Sequence, residues 1–209
     1  MNAIRMCVGV FFLAFLLQIA TAADTDITVT AVQPPAWLYQ AGRSQPLTAG
    51  MRIAAQDQIR TGADARVILS LPDASTVKLG QHVIFNVADL QAPTAEKGVL
   101  IATLEILQGA FRFTSTQVAP RDITLKIDKS IVAGIRGTDV WGAADNGGKD
   151  MICLLEGKIA VTTGTLTTQL TDPRQFVVVP RGGTPTTGLL DEAQLKKWMA
   201  WTELKPEAN

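Results

Sequence analysis

Leu104–Thr114, L-E-I-L-Q-G-A-F-R-F-T, and Ile152–Thr162, I-C-L-L-E-G-K-I-A-V-T, align without a gap at an offset of 48 residues. Apolar residues coincide at Leu104/Ile152, Ile106/Leu154, Leu107/Leu155, Phe111/Ile159 and Phe113/Val161. Gly109 coincides with Gly157, and Thr114 with Thr162. Each copy reads as a strand, a tight Gln-Gly or Glu-Gly junction and a second strand, with glycine supplying the φ freedom of a two-residue turn or a bulge. A solenoid needs at least about three repeats, so two copies fit a sandwich with equivalent hairpins in pseudo-symmetric places.

The rest of the chain carries the same period. Ile27–Val32, Val67–Leu71, Thr76–Leu79, Val83–Val87, Asp122–Ile127, Leu166–Leu170 and Gln175–Val179 alternate or cluster β-branched and apolar residues as strands do, and Trp37–Tyr39 reads as a short strand or an apolar plug. Pro34-Pro35, Gly42–Leu47, Pro72–Ser75, Gln91–Gly98 and Pro180–Gly183 supply turn and loop chemistry, and Asn146-Gly147 is a strong hairpin signal. Strands about 8–12 residues apart with turns between them indicate an all-β sandwich or barrel. Only the end differs. Asp191 is placed to cap a helix with Gln194 as capping-box partner, and Leu195, Trp198, Met199 and Thr202 form one apolar stripe.

Between the two copies lies Ile131–Trp141, I-V-A-G-I-R-G-T-D-V-W. Glycines inside a strand pattern mark a bulge or close backbone approach, so Gly134 and Gly137 are expected where the main chain is crowded. Arg136 and Asp139 flank Gly137-Thr138 as a polar set. They are expected to pair with each other or to satisfy a bulged backbone; alternatively, Arg136 is an anion or partner contact.

The chain has 209 residues, 47% hydrophobic and 18% charged, enough for one well-packed domain or two small ones. Arg5 precedes the apolar run Met6–Ile19 and the small-x-small triplet Ala20-Thr21-Ala22, the order of a secretory signal peptide cleaved after Ala22. A retained anchor is the alternative, although a span needs roughly 20 apolar residues. Without residues 1–22 the chain holds 18 basic and 19 acidic side chains, a formal charge of −1 with no block of like charge. A nucleic-acid partner, which requires a basic stripe, is therefore not expected. Cys7 leaves with the signal, and Cys153, within Met151–Leu155, is expected to be a buried small hydrophobe. The periplasm or the exterior is the expected destination.

Catalytic chemistry finds little to work with. His82 is the only histidine, so neither a histidine metal cluster nor a cofactor site is expected. No nucleophile elbow accompanies it, and no phosphate loop or calcium loop is present. Asp139 and Glu156 could meet across a hairpin as the two carboxylates of a glycan hydrolase, which stand about 5–10 Å apart. Local structural roles are expected for both. Trp37, Tyr39, Trp141, Trp198 and Trp201 either fill core or, when exposed, stack on sugar or a partner. Trp37 and Tyr39 are the aromatic candidates for partner contact, and Trp198 and Trp201 are expected to pin the helix.

Gly50–Leu71, with Asp57, Ile59, Thr61 and Gly62 leading into a strand, resembles the opening of the FecR domain family. The Gly109 and Gly157 repeats and the Gly134–Val140 signature complete the resemblance, over about residues 45–180. Where the family has D-G-S, this chain has Asp73-Ala74-Ser75, which implies a turn without positive φ at Ala74. The resemblance implies an exported jelly-roll-type β-sandwich. In the regulators that name the family, this domain hears a ferric-siderophore receptor, and a cytoplasmic segment controls a sigma factor. Here only a few residues precede the apolar run, so a stand-alone FecR-like domain is expected.

The expected organisation is a signal at 1–22, an N-terminal strand extension at 23–44, the β domain at 45–180, and a loop with an amphipathic helix at 181–209. The expected function is a non-enzymatic regulatory or protein-binding module contacting another envelope protein. Gly109, Gly134, Gly137, Thr138 and Gly157 are expected to serve structure. A carbohydrate-binding module is the alternative, with a glycan hydrolase further behind.

Overall fold

The structure, a computed structural model, describes residues 26–93, 98–115 and 121–206. The segment expected to be a signal peptide, with Cys7 and Ala22, and part of the Gln91–Gly98 loop lie outside the described residues.

The chain is built from bent strands whose two arms enter two different sheets. β1 (Ile27–Gln33) turns at Pro34-Pro35 into β2 (Ala36–Gln40). The edge strands β3 (Arg43–Pro46) and β4 (Arg52–Ile53) follow. Next, β5 (Gln58–Thr61) leads into β6 (Arg66–Ser70), and β7 (Thr76–Leu79) into β8 (Ile84–Gln91). β9 (Leu100–Thr114) spans both sheets as one strand of 15 residues. After β10 (Arg121–Ile127), β11 (Ile131–Ile135) leads into β12 (Asp139–Ala144), and β13 (Lys149–Glu156) into β14 (Ile159–Thr163). β15 (Leu166–Leu170) leads into β16 (Gln175–Pro180), and β17 (Thr186–Leu189) precedes helix α1 (Glu192–Met199).

The first sheet has the order β4-β1-β6-β7-β9-β12-β13-β16-β17. The second has the order β3-β2-β5-β8-β9-β10-β11-β14-β15. Successive bent strands are neighbours, so the connectivity is a folded meander; the interleaved Greek keys of the expected jelly roll do not describe it. Among the described residues the β9–β10 pair is parallel and makes the assembly mixed. The all-β class and the short C-terminal helix are as the sequence indicated. One face of each arm alternates into a shared core that includes Val67, Leu79, Phe111, Phe113 and Ile152 from the first sheet and Ile59, Phe85, Leu104, Ile123 and Val161 from the second.

Four local expectations are corrected. Gly109 and Gly157 do not make hairpins. Gly109 lies inside β9, and Gly157 lies between β13 and β14; at each the chain leaves one sheet for the other. Their φ values are +85° and +88°, and a Cβ at either would fall 2.7 Å from Val83 Cγ2 or Gly137 O, respectively. A hairpin would pair a strand with its own continuation, whereas here other strands take the hydrogen bonds of each arm. The crowding expected at Gly134 and Gly137 is absent, because a Cβ at either meets nothing within 4 Å. Gly137 is needed for its φ of +72°; the crowded partner of this corner is Gly157. Ala74 adopts φ +62°, held by Ala74 N donating to Leu71 O at 2.9 Å and Ser75 N donating to Asp73 Oδ1 at 3.0 Å. Finally, Gly42–Leu47 contains β3, a short edge strand paired with β2.

Candidate functional site

The polar positions of the opening motif brace strand corners. Asp57 Oδ2 accepts from Ala54 N at 2.9 Å and from Gln40 Nε2 at 3.0 Å. Thr61 Oγ1 accepts from Val83 N at 2.7 Å and donates to Gly80 O at 2.8 Å. Both residues are buried, and their hydrogen bonds go to backbone groups and, for Asp57, also to the Gln40 side chain, which gives each the partners that burial requires.

At the signature corner, Arg136 and Asp139 do not meet. Arg136 is exposed and has no hydrogen bond or ion pair among the described residues. Asp139 is 8% exposed and turns to β9, where Arg112 Nε donates to Oδ1 at 3.0 Å and Arg112 Nη2 to Oδ2 at 2.6 Å. The fork geometry of guanidinium on carboxylate makes this a strong charge-assisted pair. The hydrogen bond to Asp139 is the largest influence holding the Arg112 guanidinium above its ordinary pKa. Glu203 Oε1 accepts from Arg112 Nη1 at 3.1 Å, and Glu203 Oε2 accepts from Lys78 Nζ at 2.5 Å. The network thus ties β7, β9 and β12 to the C-terminal segment. Thr138 Oγ1 is buried without a hydrogen-bond partner among the described residues.

Asp139 and Glu156 are register partners across β12 and β13, so the strands do bring them together. Arg112 engages both oxygens of Asp139, so that carboxylate is committed to an ion pair, while Glu156 is exposed.

The outer face of the first sheet carries a second apolar cluster of Ala110, Trp141, Ala143 and Met151. α1 covers it, starting at Asp191, whose Oδ2 accepts from Gln194 N at 3.2 Å. Trp198 stacks on Trp141 with centroids 5.1 Å apart, and Trp201 tilts against it at 5.9 Å. The tail beyond the helix lies so close that a Cβ at Gly80 would fall 2.6 Å from Trp201 O. Trp198 and Trp201 therefore dock the helix, as the apolar stripe indicated. Cys153 lies in register with Trp141, and burial pushes its thiol up to about 12.

Trp37 and Tyr39 lie at alternate positions of β2, on the outer face of the second sheet. Trp37 is 36% exposed, while Tyr39 is half-buried beneath the Arg60 guanidinium, 4.4 Å from its centroid. Trp141, Trp198 and Trp201 lie on the other sheet, so the indoles form no single row along one face. Sequence reading missed Arg112, Lys78 and Glu203, because their partners are 27 to 125 positions away along the chain.

Among the described residues there is no group of three or more His, Cys, Asp or Glu side chains fit to hold a metal, and no helix is long and apolar enough to cross a membrane.

No curated protein matches this chain in sequence. Two solved structures of a putative anti-sigma factor from Parabacteroides distasonis ATCC 8503 share the fold with a TM-score of 0.57 at 14% identity. The likeness covers 68% of this chain and 64% or 63% of the other, so this chain spans somewhat under two thirds of that protein's length. Residues 57–160, which run from the Asp57 brace through both glycine corners and the signature, match the family described as FecR protein. This chain carries a FecR domain.

Proposed function

We propose that the protein is an exported, non-enzymatic regulatory module that acts by binding another protein of the bacterial envelope. The FecR match over residues 57–160 carries this reading, since the regulators of that family work through protein contacts. Fold likeness to a putative anti-sigma factor is consistent with a signalling role. Export rests on the Arg5, Met6–Ile19 and Ala20–Ala22 pattern. Arg136, an exposed guanidinium beside a glycine at a sheet corner, is the proposed contact for an acidic partner surface.

Two experiments test this. Fractionation with N-terminal sequencing of the exported protein is expected to show a periplasmic or secreted chain beginning near Ala23; a cytoplasmic, unprocessed chain overturns export. Crosslinking in envelopes is expected to capture a specific protein partner, with capture reduced in Arg136→Ala at unchanged melting temperature. Capture unaffected by Arg136→Ala overturns the contact, and recovery of glycan alone overturns the module.

A further inference from the structure

A cavity of about 270 Å³ opens where β6, β9 and the C-terminal segment come together. Arg66 lines it and is 5% exposed, yet no carboxylate lies within ion-pair distance among the described residues. Its Nε donates to Glu203 O at 3.1 Å and its Nη1 to Ala65 O at 2.7 Å, both neutral carbonyls; its Nη2 has no partner among the described residues. Asp64, the acid that acts on this guanidinium electrostatically, is exposed and engaged by Lys205. Burial pushes the Arg66 guanidinium below its ordinary pKa, as expected of a cation removed from water without a counter-ion. Such a charge is costly unless something pairs with it.

The remaining lining has its own chemistry. Gln81, Gln108 and Asn146 present carboxamides, each able to donate and accept, His82 adds an imidazole, and Trp201, 40% exposed, adds an indole. Asp145 is the one acid lining the cavity, and Arg181 Nη2 binds its Oδ1 at 2.5 Å. Gly109, Ala110, Ala143 and Ala144 keep the wall low. A buried unpaired guanidinium, several amides and an indole suit a hydroxylated ring bearing one carboxylate. A phosphate would be better served by several cations or a helix N-terminus. The volume lies at the small end for ligand pockets, about 300–1,000 Å³, and fits one ring rather than a peptide.

We propose that this cavity binds a hexuronate, free or at the end of a glycan, with the Arg66 guanidinium taking the carboxylate and the amides taking hydroxyls. The site is independent of the protein contact proposed at Arg136.

The purified protein is titrated with glucuronate and galacturonate while tryptophan fluorescence is followed, with glucose, acetate and inorganic phosphate as comparisons. A uronate is expected to saturate the signal at least about tenfold more tightly than any of the three, equivalent to roughly 1.4 kcal/mol. An oligosaccharide with a terminal uronate binding as well as the free acid points to a glycan end as the source, and rejection of it points to the free sugar acid. Arg66→Met is expected to abolish binding. Because Arg66 also holds the tail, Gln81→Glu is the decisive variant: it keeps the oxygen that accepts from Asp64 N at 3.0 Å and brings a negative charge into the cavity. Uronate binding is expected to weaken at least about tenfold with melting unchanged. Equal binding of glucose or phosphate, or full binding by Gln81→Glu, overturns the proposal.

Discussion

The carboxylate of Asp139 is held by the guanidinium of Arg112 across β9 and β12, through contacts of 3.0 and 2.6 Å. Their side chains are 10% and 19% exposed, so neither charge is fully hydrated once its partner is removed. Arg112→Met is therefore expected to destabilise the fold by about 3 kcal/mol, in the range for breaking a buried pair. Urea titration measures this; a change below about 0.5 kcal/mol would mean that solvent screens the pair as it does surface pairs.

Ala74 at φ +62° places a β-carbon in the left-handed region, where a non-glycine residue costs roughly 1–2 kcal/mol. Ala74→Gly restores the residue the family pattern carries at this turn. It is expected to stabilise the protein by up to about 1 kcal/mol, with glycine's extra unfolded-state entropy opposing the gain. A lower thermal midpoint would contradict the strain argument.

The glycines divide into those that need their missing Cβ and those that do not. Gly109→Ala and Gly157→Ala combine positive φ with overlap at 2.7 Å, and each is expected to lose about 2 kcal/mol or more. Gly134 has neither constraint, so Gly134→Ala is expected to be neutral or to stabilise by about 0.4–1 kcal/mol. Comparing the three melting temperatures on one background checks the assignment. Equal losses at all three positions would contradict it.

Trp198→Ala removes the ring stacked on Trp141 and uncovers an apolar patch. Such a stacked pair adds about 0.5–1.5 kcal/mol beyond the area it buries. The expected loss is therefore about 2 kcal/mol, with Trp141 emission shifting to the red. Unchanged emission would show that the tail does not shield this face.

The Cys153 thiol titrates at about 12 in the folded chain against an ordinary value of 9.0, because burial disfavours the thiolate. Between these values the unfolded chain has released the proton that the folded chain retains. The stabilisation is thus complete below pH 9 and falls as pH rises toward 12, at up to about 1.4 kcal/mol per pH unit. Cys153→Ala is expected to flatten that decline relative to the parent. At neutral pH the native thiol is expected to resist labelling until urea unfolds the chain; rapid native labelling would refute its burial.

Strand content, the C-terminal helix and the family were legible because each rests on local pattern. Period-two alternation marks β9 and β10, Asp191 with Gln194 marks the helix start, and order and spacing mark the FecR signature. The two glycine positions were legible as special, but their geometry was not. A Gln-Gly step inside alternating residues looks the same whether the chain reverses or crosses between sheets. Which happens depends on neighbours such as Val83 and Thr138, and these are remote in sequence.

The candidate site followed the same division. Arg136 and Asp139 stand three apart, and proximity along the chain suggested a pair. In the fold the φ of +72° at Gly137 turns the corner between them, and Asp139 reaches Arg112 in a neighbouring strand while Arg136 stays in solvent. Nothing in the local sequence marks Arg66, because the tail residue that holds it, Glu203, is 137 positions away.

By itself, the sequence determined the secondary-structure class, the capped helix and the family, because backbone sterics and the alternation of apolar side chains act within a few residues. Only the tertiary structure decided which charges pair, which glycines are crowded, and that the C-terminal segment seals Trp141 and encloses Arg66. Those outcomes depend on which strands lie side by side, and that is set when distant apolar arms are buried together in one core.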